Sequence, residues 1–320
     1  MKKQIINAAF KYSQVVMLLL IILVFSITTP NFFTLNNFAT VVMKQLPFLL
    51  IISLGMTLAI LANGIDLSIG STLALSSCVA SYFLVKGQDT LGILSAVVIS
   101  CVIGYINGIL ITKIHLVPFI ATYSMNLVAR GLAYLFMGGM MYYGFSDAFC
   151  SIAGGSILGI SNLLWIAAVI FLLMFAVMKK TVFGRNIYGV GSNKEATTLS
   201  GINSDRVLIA VYTINGLLAG ITGLLYISRL NAAESTIGAD FTLQMIAATL
   251  IGGTRFGGGK GGVGRTLVGV LTMMFLTNAM NLNRVSSLWQ DAVFGAVIIL
   301  SLFIDLLGEK VTTGKKPQAI

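Results

Sequence analysis

Charge is what this 320-residue chain has least of: Asp, Glu, Lys and Arg make up 9% of it, against about 25% in soluble domains. So few charges cannot clothe a soluble surface, which excludes a self-contained ATPase or a nucleic-acid-binding domain. Histidine occurs once, as His115 in a turn beside Lys113, so a histidine metal centre and a Ser/His/Asp arrangement cannot be assembled, and no HExxH is present. The three cysteines, Cys78, Cys101 and Cys150, show no CxxC spacing, which removes a disulfide scaffold and a thiolate metal site. No catalytic residue, metal site or cofactor of the chain's own is expected. Proline numbers four and no Ser/Pro-rich linker divides the chain, so residues 1–320 read as a single domain.

Apolar residues are abundant, at 57% hydrophobic with mean hydropathy +0.95. A membrane helix needs about 20 of them. Runs bounded by Pro, Gly, Asn or charge give ten segments: Tyr12 to Thr29, Phe38 to Ala62, Ser68 to Val85, Leu91 to Thr112, Val117 to Met137, Gly159 to Met178, Val207 to Ser228, Thr242 to Gly253, Val263 to Leu282 and Leu288 to Leu307. The expected fold class is an all-α integral membrane protein of about ten transmembrane helices. The eighth segment is too short to cross and is read as re-entrant. Lys2, Lys3 and Lys11 precede the first run as in a signal peptide, but no small-residue cleavage site follows, so it is read as a retained span.

Basic residues orient the chain, because cytoplasmic loops are enriched in Lys and Arg. With both termini cytoplasmic, fifteen of the twenty fall inside, including Lys113, Lys179, Lys180, Lys194, Arg255, Lys310, Lys315 and Lys316. Only Lys86, Arg229 and Arg284 fall outside, and Lys44 and Arg130 lie within spans. Two connections are long. Gly138 to Leu158, on the outside, suits a short surface helix; residues 179–206, on the inside, are the most polar stretch. Gly104 with Gly108 and Gly216 with Gly220 are small-xxx-small pairs that let helices approach closely in lipid.

The run Gly259-Lys-Gly-Gly-Val-Gly264 spells GxGxxG but follows a membrane helix rather than a strand. It also fails as a P-loop, since Gly261 follows Lys260 and Thr254 stands where the first Gly is required. The Gly252 to Gly264 turn instead follows the interrupted eighth helix, a pattern that marks translocation pathways. Ionisable groups at membrane depth carry the same implication. Asp66, in the turn joining the second and third segments at the inner side, reads equally as a helix cap or a pathway residue. Arg130 reads as lumen-facing or interhelical.

Four segments carry a resemblance to a known family: Asn63 to Ser71 (NGIDLSIGS), Phe183 to Ile202 (FGRNIYGVGSNKEATTLSGI), Ile246 to Gly262 (IAATLIGGTRFGGGKGG) and Val285 to Asp305 (VSSLWQDAVFGAVIILSLFID). In this order they resemble the permease subunits of bacterial ABC importers for ribose, xylose, arabinose, galactose and autoinducer-2. Asn63 stands where the family usually has Gly, and Arg255-Phe256 replaces a small pair. The resemblance implies a fold similar to the cobalamin-importer type in the bacterial inner membrane. It also implies a second permease subunit, two ATP-binding subunits that consume the ATP, and an extracytoplasmic sugar-binding protein. Asn193, Lys194, Glu195, Ala196, Leu199, Ser200 and Gly201 then look like the helix that couples to the ATPase. Ser68, Ser71, Asn107, Asn278 and Asn281, with Asp66 and Arg130, are the candidates for the path. The alternative is an ion-coupled secondary sugar carrier, which would need intramembrane carboxylates.

Overall fold

A computed structural model describes residues 13–313, apart from the side chains of 301, 302 and 304–313. Lys2, Lys3, Lys11, Lys315 and Lys316, and the side chains of Asp305 and Lys310, lie outside the described part. The chain is helical: α1 (Ser13–Thr28), α2 (Leu35–Leu61), α3 (Ile69–Leu84), α4 (Asp89–Thr112), α5 (Pro118–Met137), α6 (Asp147–Gly154), α7 (Asn162–Lys180), α8 (Val182–Ser192), α9 (Lys194–Leu199), α10 (Ser204–Leu230), α11 (Phe241–Ile251), α12 (Val263–Leu282) and α13 (Ser287–Thr313). Each of the ten apolar segments holds one of these helices. By length and composition α2, α4, α7, α10 and α12 are able to cross a membrane, while α1, α3, α11 and residues Ser287–Leu300 of α13 are apolar but shorter.

Local chemistry sets the ends. Pro118 opens α5 at a position where its missing N–H costs nothing, and Gly138 (φ 57°) closes it in the left-handed conformation. Asn231 (φ 53°) closes α10 in the same way. The surface helix expected in the 138–158 connection is α6, capped by Ser146, whose hydroxyl accepts from Phe149 N–H at 3.1 Å. Beside it, Ser156–Ile157 pairs antiparallel with Ile160–Ser161 around Leu158 and Gly159, both at positive φ, as a two-residue hairpin requires.

Successive helices alternate between two ends of the bundle, and cross-links show which connections share an end. At one, Asn283 Nδ2 donates to Thr29 Oγ1 at 2.7 Å, Ser146 bonds Asp89, and Tyr142–Tyr143 pairs with Ala232–Ala233. At the other, Asp205 pairs with Lys113 at 3.1 Å and Lys194 at 3.2 Å, and Gly259 N–H donates to Leu61 C=O at 3.0 Å. The second is the basic end.

The half of α2 from Leu46 to Leu61 is buried on every side, as befits a helix with no polar face. Its earlier turn at Val41–Gln45 is π-helical. Around this centre, α4 and α10 lie antiparallel at backbone contact: Gly104 faces Tyr212, Gly108 faces Ile209, and Gly216 faces Ser100. A Cβ on Gly108 would lie 2.7 Å from Ile209 Cα, closer than any side chain tolerates. In lipid, association rests on such packing because tails are as apolar as leucine. We expect Gly216→Leu to abolish the monodisperse, folded species in detergent, whereas Gly131→Ala, in open space on α5, leaves elution and thermal stability at or slightly above wild type. Equal behaviour of the two variants by size-exclusion chromatography and thermal melting would count against the α4–α10 contact.

Candidate functional site

The segment joining α2 to α3 turns back into the bundle. Its first residue past α2, Ala62, is followed by Asn63 at φ 61°, so the place where the resembling family has Gly demands a left-handed residue, which Asn supplies at little cost. The chain then carries Asp66 away from the bundle end into the interior, where it is 1% exposed. Ser68 N–H and Ser68 Oγ–H both donate to Asp66 Oδ1, at 3.0 and 2.6 Å, and Asn215 Nδ2 donates to Oδ2 at 3.2 Å. Asn107 Nδ2 completes the cluster by donating to Ser68 Oγ at 2.8 Å. Asn215 lies eleven residues along α10 from Ser204, about 16 Å at 1.5 Å per residue. The turn is therefore an internal one, and Asp66, which accepts from the N–H of Ser68, the N-cap residue of α3, is a node joining α3, α4 and α10.

Of the residues selected from sequence, Asp66, Ser68 and Asn107 are thus brought together. Ser71 is one turn further along α3, its hydroxyl donating to Ser68 C=O at 2.9 Å. Arg130 stands elsewhere: its Nη1 donates to the carbonyls of Ser235 and Ile237, at 2.6 and 2.9 Å. It fastens residues 231–240, which descend from the far end until Gly238 meets the backbone of Gly70. Asn278 forms a reciprocal amide pair with Asn37, at 2.8 and 3.0 Å, and Asn281 Oδ1 accepts from Gln290 Nε2 at 2.9 Å. These two sit near the far end of α12 and do not join the Asp66 cluster. The three described cavities are lined by other residues, among them Gln45, Tyr226 and Gln244.

Asn215 is not among the residues that the sequence singles out. The rule that picks out charges at membrane depth passes over amides, yet an Asn beside Gly216 in the middle of an apolar run carries the same signal. Among the described residues no group of three His, Cys, Asp or Glu side chains is placed to hold a metal ion.

The basic end carries the other constellation. Asn193 Oδ1 accepts from Ala196 N–H at 2.9 Å and caps α9, and Gly201 (φ 85°) follows its end. Thr197 is buried, while Lys194, Glu195, Ala196, Leu199, Ser200 and Gly201 are exposed, Leu199 by 89%. Glu195 and Leu199 lie one turn apart and so share a face. The glycine-rich turn packs beside it: Gly191 abuts Leu61 C=O, and Gly258 and Gly259 take positive φ where a side chain would meet Asn63 and Ser192.

Residues 38–302 match the family described as branched-chain amino acid transport system, permease component. The chain belongs to this family of transport permeases and is a multi-pass membrane protein. It is 38% identical over 293 residues to the ribose import permease protein RbsC of Escherichia coli K12, covering 90% of this chain and 91% of that one. RbsC of Bacillus subtilis 168 is 38% identical over 291 residues, 90% of each. The D-allose transport system permease protein AlsC of Escherichia coli K12 is 33% identical over 302 residues, 94% of this chain and 93% of that one.

Turning one Asp66 oxygen into an amide N–H leaves the buried Asn215 donor without its acceptor, at about 1–3 kcal/mol. We expect Asp66→Asn to lower the thermal stability of the purified chain, because its amide then faces the Asn215 amide donor. The double exchange Asp66→Asn with Asn215→Asp restores a donor opposite an acceptor and should recover at least half of the loss. A swap no more stable than the single variant would show that the Asp66–Asn215 contact does not hold the cluster.

Proposed function

We propose that this chain is the transmembrane permease subunit of an ATP-driven importer for a monosaccharide or related small polyol-like solute, and forms its translocation path. The observation that carries this is the likeness to ribose and allose permeases along nine-tenths of the chain. The full-length arrangement is ten spans of the cobalamin-importer type in the bacterial inner membrane, with both termini cytoplasmic. The shared ends of the bundle support it, since Lys113, Lys194 and Asp205 gather at the end assigned to the cytoplasm. A second permease, identical or paralogous, two ATP-binding subunits and an extracytoplasmic sugar-binding protein complete the machine. ATP is consumed by the partner, and the chain needs no cofactor.

In this reading α9 is the coupling helix. An exposed leucine on a polar cytoplasmic loop has no lipid to meet, so Leu199 with Glu195 forms the face offered to the ATPase. Asp66, Ser68, Ser71, Asn107 and Arg130 shape the path by holding the broken segments that border it, and Asn278 and Asn281 by joining α12 to α2 and α13. Asp66 is engaged on both oxygens by Ser68 and Asn215, which favours the ATP-driven importer over a carrier that would need that carboxylate for an ion.

Reversing the charge of Glu195 separates the coupling role from a merely topological one. We expect Glu195→Lys to leave the permease folded, since exposed substitutions alter stability by about 0.5 kcal/mol or less, yet to lose ATPase copurification and sugar-stimulated hydrolysis. Lys86→Glu, at the far end, should behave as wild type. Undiminished assembly and hydrolysis in Glu195→Lys would remove α9 from the interface. Sugar accumulation by the purified chain on an ion gradient, with no ATPase present, would remove the importer reading itself.

A further inference from the structure

A groove lies in the half of the bundle remote from the basic end, between α2, α10, α11 and α12. One cavity of about 300 Å³ is walled by Gln45 and Phe48 of α2, Tyr226 of α10, Phe241 and Gln244 of α11, and Thr277 of α12. A second, of about 380 Å³, shares Tyr226, Phe241 and Gln244 with it and adds Glu234, Thr236 and Asp240 at its mouth. Both lie at the lower end of the roughly 300–1,000 Å³ of small-molecule sites.

Three features fix the chemistry of the occupant. The rings of Phe48, Tyr226 and Phe241 form a continuous aromatic wall, with centroids 5.3 and 5.8 Å apart and planes at 69° and 90°. Such a wall offers ring faces to apolar C–H surface. Next to it stand two side-chain amides, each donor and acceptor at once, and Thr277 Oγ1, a buried hydroxyl with no hydrogen-bond partner. At the mouth, Glu234 Oε1 already accepts from Thr236 Oγ1 at 2.6 Å, leaving its other oxygen to accept more. Arg229 also lines the first cavity, with its guanidinium donating to Lys44 C=O and lying 5.6 Å over the Phe48 ring.

The polar lining excludes lipid tails as the occupant. Gln45, Gln244, Glu234 and Asp240 bring amides and carboxylates to the groove. Amides and carboxylates at such a position are costly against hydrocarbon, so the groove faces water or protein.

We infer that this groove is a subsite for the transported sugar, which lays its C–H face on Tyr226 and Phe241 and shares its hydroxyls among Gln45, Gln244 and Thr277. The inference rests on the importer reading and adds to it a discriminating surface within the permease, distinct from the buried Asp66 cluster.

The test uses the intact importer, with its ATPase and binding protein, reconstituted in proteoliposomes with enclosed ATP. Uptake of labelled D-ribose, D-allose and L-arabinose is measured for wild type, Tyr226→Ala and Gln244→Leu. At subsaturating sugar both variants should slow uptake at least tenfold and change the ratio among the three sugars. Gln244→Asn keeps the amide but withdraws it by one methylene. It should shift the ratio at least threefold, and it decides the matter if the larger changes prevent assembly. Wild-type rates and ratios in the variants that assemble would overturn the subsite and leave the importer standing, as would loss of permease pairing in Gln244→Leu with an unchanged ratio in Gln244→Asn. A wild-type complex that moves none of the three sugars on ATP would overturn the importer reading, and the subsite with it.

Discussion

Backbone N–H and C=O groups inside hydrocarbon have no water to bond, so any stretch of chain that leaves the helix must find partners within the protein. Three stretches that leave the helix, residues 62–68, 231–240 and, at the basic end, 252–262, determine much of the rest of this structure. Each is covered by a specific device. Asp66 gathers the Ser68 N–H, and Thr122 Oγ1 donates to Ile65 C=O at 3.2 Å. Arg130 takes up two carbonyls of 231–240, which explains a cation placed where it has little room to reach water. The turn 252–262 satisfies the end of α2 through Gly259 N–H and Leu61 C=O, and Arg255 N–H donates to Lys260 C=O at 2.9 Å. Unusual residues in this chain are concentrated where backbone regularity is lost.

The second constraint follows from the first. Irregular segments can be covered only if the helices around them approach closely, and here that approach is made by residues with little or no side chain. Ala96, Ser100, Gly104 and Gly108 of α4 meet Ile209, Tyr212, Gly216 and Gly220 of α10 almost backbone to backbone, which leaves room for Asn107 and Asn215 to reach Asp66 and Ser68 from either side. Gly70 and Gly238 do the same where 231–240 crosses the first turn of α3. A bulkier contact at either place would push the amides out of hydrogen-bond reach of the carboxylate.

Much of this architecture is legible in the sequence, for physical reasons that also mark where legibility stops. Helix positions follow from runs of apolar residues, and Val263 to Leu282 is read to the residue because glycines precede it and Asn-Arg follow. The short α11 is recognised from length alone. The surface helix between α5 and α7 is visible from glycines and aromatics. Depth is not visible: Asp66 reads as a turn residue at one end because sequence spacing measures distance along the chain, and a chain that doubles back after Leu61 breaks that relation. Partnership between distant residues is equally hidden. Asn37 with Asn278, and Asn215 with Asp66, are separated by 241 and 149 positions, and nothing local to either residue names the other. The groove residues Gln45 and Gln244 escape a search keyed on charge, because an amide in an apolar run differs from its neighbours only by hydrogen-bonding capacity.

The geometry at the basic end bears on how force would reach the interior in the importer reading. Asp205 stands in the first turn of α10 and pairs with Lys113 after α4 and Lys194 at the start of α9, while Thr198 Oγ1 and Ser204 Oγ lie 2.8 Å apart. These ion pairs are exposed and worth about 0–1 kcal/mol each, so their contribution is orientation rather than stability. They tie α9 to the foot of α10, a single helix of 27 residues with no interior proline. A helix is stiff along its axis, so a displacement applied at α9 is passed up α10 to Asn215, and through it to Asp66 and the start of α3. The same helix ends at Tyr226, in the wall of the groove. In that reading one rigid element joins the surface proposed for the ATPase, the node that holds the broken backbone and the aromatic wall proposed for a solute, and moving it changes all three together.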